Sequence, residues 1–240
     1  MSVPLGSRND RVLMSRFAEL SRRARSKGIH LDALGGSPSW AAYPSRAESW
    51  AKEVRDLGFF ERIHLDIEPY TLGDWTTRQK RLSSGLVQAV QRVRSVGLPV
   101  DVDIPHWYWK TPTLSKDTLD IAVMRRADSV TIMAYQNTWS RIVAVSAVEL
   151  RHAAALGKRA VIGVNIRPAS ATEPTSTLWG ATAVSVFTDL ARITSTGTTM
   201  PGFGGVALHD AEYLARLQTL STRPRAVSTP ADSGHRRVMS

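Results

Sequence analysis

Six short runs rich in β-branched residues, at 29–34, 62–68, 99–104, 129–135, 159–166 and 205–209, begin 33, 37, 30, 30 and 46 residues apart. Between and after them lie stretches of helical periodicity, at about 43–57, 77–96, 115–127, 144–157, 180–195 and 211–220, and another precedes them at about 9–27. A strand followed by a helix, repeated in series, reads as consecutive βα units whose strands pair in parallel. The pattern predicts an α/β fold: a parallel sheet covered by helices and curled into a (β/α) TIM-type barrel. A full barrel has eight such units, and six are visible. Because the opening segment reads as a helix, the chain looks like a barrel entered at its second helix, with the first two units either absent or too weak to read. A doubly wound sheet is the alternative, and the lack of a GxGxxG after the first strand weighs against dinucleotide binding.

The chain has 240 residues, a length that suits one large domain. We expect that domain over residues 1–220, followed by a disordered basic tail over 221–240. The formal net charge of +10 invites a nucleic-acid reading. Its placement argues otherwise. Residues 1–28 hold seven Lys/Arg against two Asp/Glu, and 221–240 hold four Arg against one Asp, which leaves 20 against 18 across 29–220. No basic stretch is interleaved with aromatics as a stacking platform requires, so no nucleic-acid partner is expected. No apolar run is long enough to span a membrane. The opening MSVPLGSRNDR has no apolar h-region. Localisation stays open, since a leader on an upstream segment would not be seen.

The chain contains no cysteine, which excludes disulfides, thiolate metal sites and cysteine nucleophiles. There is no GxSxG, no phosphate-binding GxxxxGK[ST] and no HExxH. The six His residues lie far apart, and neither a metal nor a cofactor is expected.

The chemistry concentrates in FERIHLDIEPY, residues 60–70. Strand side chains alternate between faces, so Ile63, Leu65 and Ile67 point towards the helices while His64, Asp66 and Glu68 point into the barrel. Three polar groups in a row on a core strand are costly without a purpose. Glu68 falls at the C-terminal end of its strand, where barrel active sites are built. The next strand, within LPVDVDIPHWYWK at 98–110, repeats the pattern with Asp101 and Asp103. Neighbouring carboxylates in one interior cannot all ionise freely, so one becomes a candidate acid, and paired carboxylates are the machinery of glycoside hydrolysis. Trp107 and Trp109 follow this strand and Trp40 follows the first, as a candidate rim for sugar rings. Asn165 and His209 are read as inward-facing polar groups. Glu173 sits in a polar loop and is read as a solvated acid, with closure over the site as the alternative.

Four landmarks together resemble the chitinase-like barrels of glycoside hydrolase family 18 and its relatives. LDIEP at 65–69 resembles the catalytic strand, D-x-D-x-E; ALGGS at 33–37 resembles S-x-G-G; IMAYQN at 132–137 resembles M-x-Y-D; and GVALH at 205–209 stands where the last strand, G-V-M-x-W, would lie. They span about 29–215. The resemblance implies that Glu68 is the general acid, that Asp66 orients it or the substrate's N-acetyl group, and that Tyr135 hydrogen-bonds the reacting sugar. It also implies substrate assistance, in which the acetamido oxygen is the nucleophile. Three positions depart from the pattern: His64 replaces the outer Asp, Gln136 replaces the Asp of M-x-Y-D, and His209 replaces the Trp. They put chitin itself in doubt as substrate.

The expected function is cleavage of a glycosidic bond by carboxylic acid catalysis at the barrel mouth. Glu68, Asp66, Asp103 and Tyr135 would be catalytic, and Trp107, Trp109, Trp40, Gln136, Asn165 and His209 would hold an oligo- or polysaccharide. The alternatives are a non-catalytic carbohydrate-binding barrel and an incomplete barrel whose open edges need a partner.

Overall fold

A computed structural model describes residues 1–222. Six parallel strands, β1 (Asp32–Gly35), β2 (Arg62–Leu65), β3 (Val100–Pro105), β4 (Ser129–Met133), β5 (Ala160–Asn165) and β6 (Phe203–His209), pair in chain order. The order does not return from β6 to β1 among the described residues. Helices α2 (Pro44–Leu57), α3 (Trp75–Arg94), α4 (Leu119–Met124), α5 (Trp139–Ala155), α6 (Ala183–Gly197) and α7 (Ala211–Thr222) each follow a strand, and α1 (Arg11–Arg25) precedes β1. This is the α/β arrangement of a TIM-type barrel, present as six βα units.

The local chemistry sets the helix ends. Asp10 caps α1, its carboxylate accepting from the N–H groups of Val12 and Leu13 at 2.9 Å each. Pro44 opens α2, where a missing N–H costs nothing, and Gly58 closes it in the left-handed region at φ 70°. The pattern at 115–127 yields only the six residues of α4, because 111–118 is instead spent on a turn closed by a Pro112–Thr118 bridge. Helix α7 runs to Thr222, two residues into the segment read as a tail. The rest of that segment lies outside the described residues.

The core lies between sheet and helices. Ile63, Leu65 and Ile67 are buried against it, as their alternation requires, together with Trp50, Leu82 and Leu86. Beyond β1, the chain start extends the edge: the Val3 N–H bonds Leu34 O at 3.0 Å, and the Leu34 N–H bonds Met1 O at 2.7 Å. Phe17 anchors α1 on Phe60 with ring centroids 5.3 Å apart.

The register carries the polar row across the sheet. His64 pairs with Leu34 on one side and Asp101 on the other, and Asp103 pairs with Thr131. Strand β2 ends at Leu65, three residues before Glu68. The Asp66 N–H still bonds Gly35 O at 3.0 Å, but Pro69 has no N–H to continue the ladder and starts the 3₁₀ turn Pro69–Thr71. Glu68 therefore stands in the turn after its strand. The double glycine of ALGGS has a steric cause: a Cβ on Gly36 would lie 1.8 Å from Asp66 O, and one on Gly35 would meet the Trp50 ring at 2.3 Å. Gly36 lets the end of β1 press onto the chain that carries the acids, and Gly35 lets β1 press onto Trp50 of α2.

Candidate active site

A pocket of about 540 Å³ opens over the C-terminal ends of β2, β3 and β4, the end where barrels place their chemistry. Glu68, Trp107, Tyr135 and Gln136 line it, joined by His106 and by the loop residues 172–176 from the β5–α6 connection. Glu173 is among them.

Glu68 is half-buried and accepts a short hydrogen bond from the Tyr70 hydroxyl. Burial, reinforced by that carboxylate, pushes the Tyr70 phenol well above its ordinary range. Tyr70 therefore stays protonated and donates. Tyr70 also packs edge-on against Trp107 at 5.2 Å, and Trp107 against Tyr108 at 5.1 Å, so one wall of the pocket is a braced aromatic cluster. Tyr108 is fully buried, and its hydroxyl has no hydrogen-bond partner among the described residues. Burial, followed by the Glu68 and Asp66 charges, holds its phenol far above the ordinary range.

Beneath the pocket lies the carboxylate row. His64 Nδ1 lies 2.9 Å from Asp101 Oδ2, and His64 Nε2 lies 2.9 Å from Asp103 Oδ2. Burial pulls the His64 imidazole down, but the two carboxylates outweigh it and raise it to about 10. Asp101 also accepts from the Thr131 hydroxyl at 2.9 Å. Burial opposes its ionisation, yet the His64 contact leaves it below the usual carboxylate range. Among the described residues Asp66 has no such partner, and its Oδ1 is buried without a hydrogen bond. Burial first, then the Asp103 and Glu68 charges, push it up to about 7. Within the row Asp66 is thus shifted towards its protonated form while Asp101 is shifted the other way.

Tyr135 faces this row from the end of β4. Burial and the charges of Asp103 and Asp66 push its phenol above its ordinary range, so it is a hydrogen-bond donor. The His106 ring donates from Nδ1 to Met133 O at 3.2 Å, which orients it across the mouth.

The remaining candidates lie elsewhere. Trp40, on the 3₁₀ turn Pro38–Ala41, packs on Trp50 at 5.4 Å and does not line the pocket. Trp109 lies outside the lining as well, with Lys110 Nζ 4.6 Å over its ring. Asn165 anchors a loop: its side chain donates to Ser176 O at 3.2 Å and accepts from the Arg167 N–H at 2.9 Å. It thereby holds the 172–176 segment at the pocket without lining it. His209 is exposed at the end of β6, its ring 5.9 Å from Tyr135 and its Nε2 3.4 Å from Arg167 Nη1. Asp103 is engaged by His64 below the pocket. Tyr70 was not read from sequence as a site residue; its position directly after the E-P pair was the available signal.

No protein-family model matches the chain, and no curated protein matches its sequence. Among solved structures, the chain is similar to a chitinase from Chromobacterium violaceum ATCC 12472, with 13% identity over 86% of this chain and 84% of that one and a TM-score of 0.51. The protein SMc04130 from Sinorhizobium meliloti 1021 matches over 86% of this chain and 83% of that one at 11% identity and a TM-score of 0.41. The spore cortex-lytic enzyme SleL of Bacillus megaterium QM B1551 matches over 62% of this chain, which spans only 38% of that one, at 14% identity and a TM-score of 0.42. At these identities the likeness speaks to fold, and the first of the three carries it: the chain has the architecture of a (β/α) TIM-type barrel.

Proposed function

We propose that this chain is a glycoside hydrolase acting on N-acetylated sugars, with Glu68 as the general acid. The observation that carries the reading is the placement of Glu68 in an aromatic-walled pocket, above a carboxylate row whose buried Asp66 is pushed up to about 7. In the step proposed, Glu68 gives its proton to the glycosidic oxygen as the bond from that oxygen to the anomeric carbon breaks. The acetamido oxygen of the same sugar closes on that carbon. Water then opens the adduct, and Glu68 takes back a proton. Tyr135 donates a hydrogen bond to the sugar or its acetamido carbonyl, and Trp107 offers a face to a ring. Asp66 supports Glu68 from below. Asp103, held by His64, acts as a fixed charge and does not reach the sugar.

One observation favours a second reading, a barrel that binds carbohydrate without cleaving it. Glu68 accepts from Tyr70, an arrangement that suits a carboxylate holding a ligand. Incubating the purified protein with N-acetylated and plain oligosaccharides, with products read by mass and binding by calorimetry, separates the two. Shortened N-acetylated products support hydrolysis, binding without products supports the second reading, and neither result overturns both.

A further inference from the structure

The polar row is unusual for having a histidine between two aspartates, and the geometry of that group restricts its charge. A neutral imidazole has one donor nitrogen and one acceptor nitrogen. Here both ring nitrogens face carboxylate oxygens at 2.9 Å, so either the ring carries both protons or one aspartate is protonated towards it. An imidazole binds a proton more tightly than a carboxyl does, by more than two units for ordinary groups. Asp101 is in addition fixed as an acceptor by the Thr131 hydroxyl. Both facts favour the imidazolium.

We infer that His64 is a positioning residue: an imidazolium clamped between β3 carboxylates, it keeps Asp101 and Asp103 ionised and stationary, so that the mobile proton of the row belongs to Asp66 beside Glu68. The reading rests on the proposal that Glu68 is the acid. Its cause lies in the lattice of partners. Asp101 and Asp103 each spend an oxygen on the ring; among the described residues Oδ1 of Asp101 and of Asp66 are both buried without a hydrogen bond, but Asp66 has no ring nitrogen in contact with either of its oxygens. Burial first, then the proximity of Asp103 and Glu68, favours the protonated form of Asp66. The other charged groups around the ring do not change the outcome. Asp32 on β1 adds a further carboxylate, and Arg62 on β2 is directed at Asp32 at 3.9 Å. On β4, Thr131 contributes only a neutral hydroxyl and Tyr135 a protonated phenol. The histidine thus has a charge consequence: a fixed cation stands between two carboxylates of the row.

The test has two arms on the full chain. In the first, ¹⁵N-histidine-labelled protein is titrated by NMR, with the His64 signals assigned by their loss in His64→Gln. The expected result is that both ring nitrogens stay protonated past about pH 8. A His64 midpoint near the ordinary value of about 6.5 overturns the inference. This arm needs no turnover and depends only on the wild-type fold, so its failure is distinct from failure of the hydrolase reading. In the second arm, hydrolysis by His64→Gln is followed against pH. Loss of the cation raises Asp66, so the alkaline limb of the rate profile moves up by about one unit. A lower rate with an unmoved limb marks a merely structural role and overturns the inference.

Discussion

The Tyr70 hydroxyl donates a hydrogen bond to the Glu68 carboxylate two residues before it, across the turn that Pro69 begins. That contact ties the acid to the aromatic wall, because the same Tyr70 ring packs on Trp107 at 5.2 Å. Orientation of the acid and the shape of the pocket are therefore set by one side chain. Tyr70→Phe keeps the ring packing and removes only the donor. We expect kcat to fall about tenfold on an N-acetylated substrate with KM changed by less than about threefold. A large rise in KM at constant kcat would place Tyr70 in substrate binding.

Asp66 makes stability depend on pH with a defined sign. Its folded carboxyl is raised from 3.8 to about 7, so between those values the folded chain holds a proton that the unfolded chain has released. Stability then falls as pH climbs through that window. Asp66→Asn removes this slope. The difference in Tm, variant minus wild type, should grow more positive from about pH 4 to 7 and level off above it. A flat difference would mean that Asp66 is ionised throughout.

Glu149, on α5 and far from the proposed chemistry in sequence, is fully buried; among the described residues no side chain bonds its oxygens, and only backbone N–H groups, its own and that of Trp109, approach them. Burial pushes it up to about 8, and Asp120 adds to the push from beside it. Asp120 itself is satisfied by Thr118 at 2.6 Å and His152 at 2.6 Å. The sign is the same as for Asp66: stability drains away as pH rises from 4.5 to about 8. Glu149→Gln should gain Tm relative to wild type progressively across that range, by ~2–4 °C for each kcal/mol recovered. Glycan hydrolysis should be unchanged, since Glu149 does not line the pocket.

The inward row was legible because a strand has a period of two: Ile63, Leu65 and Ile67 on one face leave His64, Asp66 and Glu68 on the other, and β3 repeats the rule. Six strands and their parallel order followed from the βα spacing. What sequence did not reveal was direction inside the connecting turns. Trp40 and Trp107 both follow strand ends, but the turn at Pro38–Ala41 aims Trp40 at Trp50, while Trp107 reaches the pocket. Trp107 and Trp109 are two residues apart around a 3₁₀ turn, and in a helix of three residues per turn such positions point different ways. Asn165, read as an inward polar group, tethers a loop eleven residues away. Glu149 was invisible for another reason: one carboxylate on an amphipathic helix looks solvated until the packing around it is known.

The central claim is that Glu68 delivers the proton that breaks a glycosidic bond, and the most direct measurement is the hydrolysis rate of Glu68→Gln against wild type on an N-acetylated oligosaccharide. Gln keeps the size of the side chain and its ability to accept from Tyr70, so the fold and binding should persist while turnover drops by about 10²-fold or more. An unchanged rate in a folded Glu68→Gln variant would contradict the account and remove Glu68 from the mechanism.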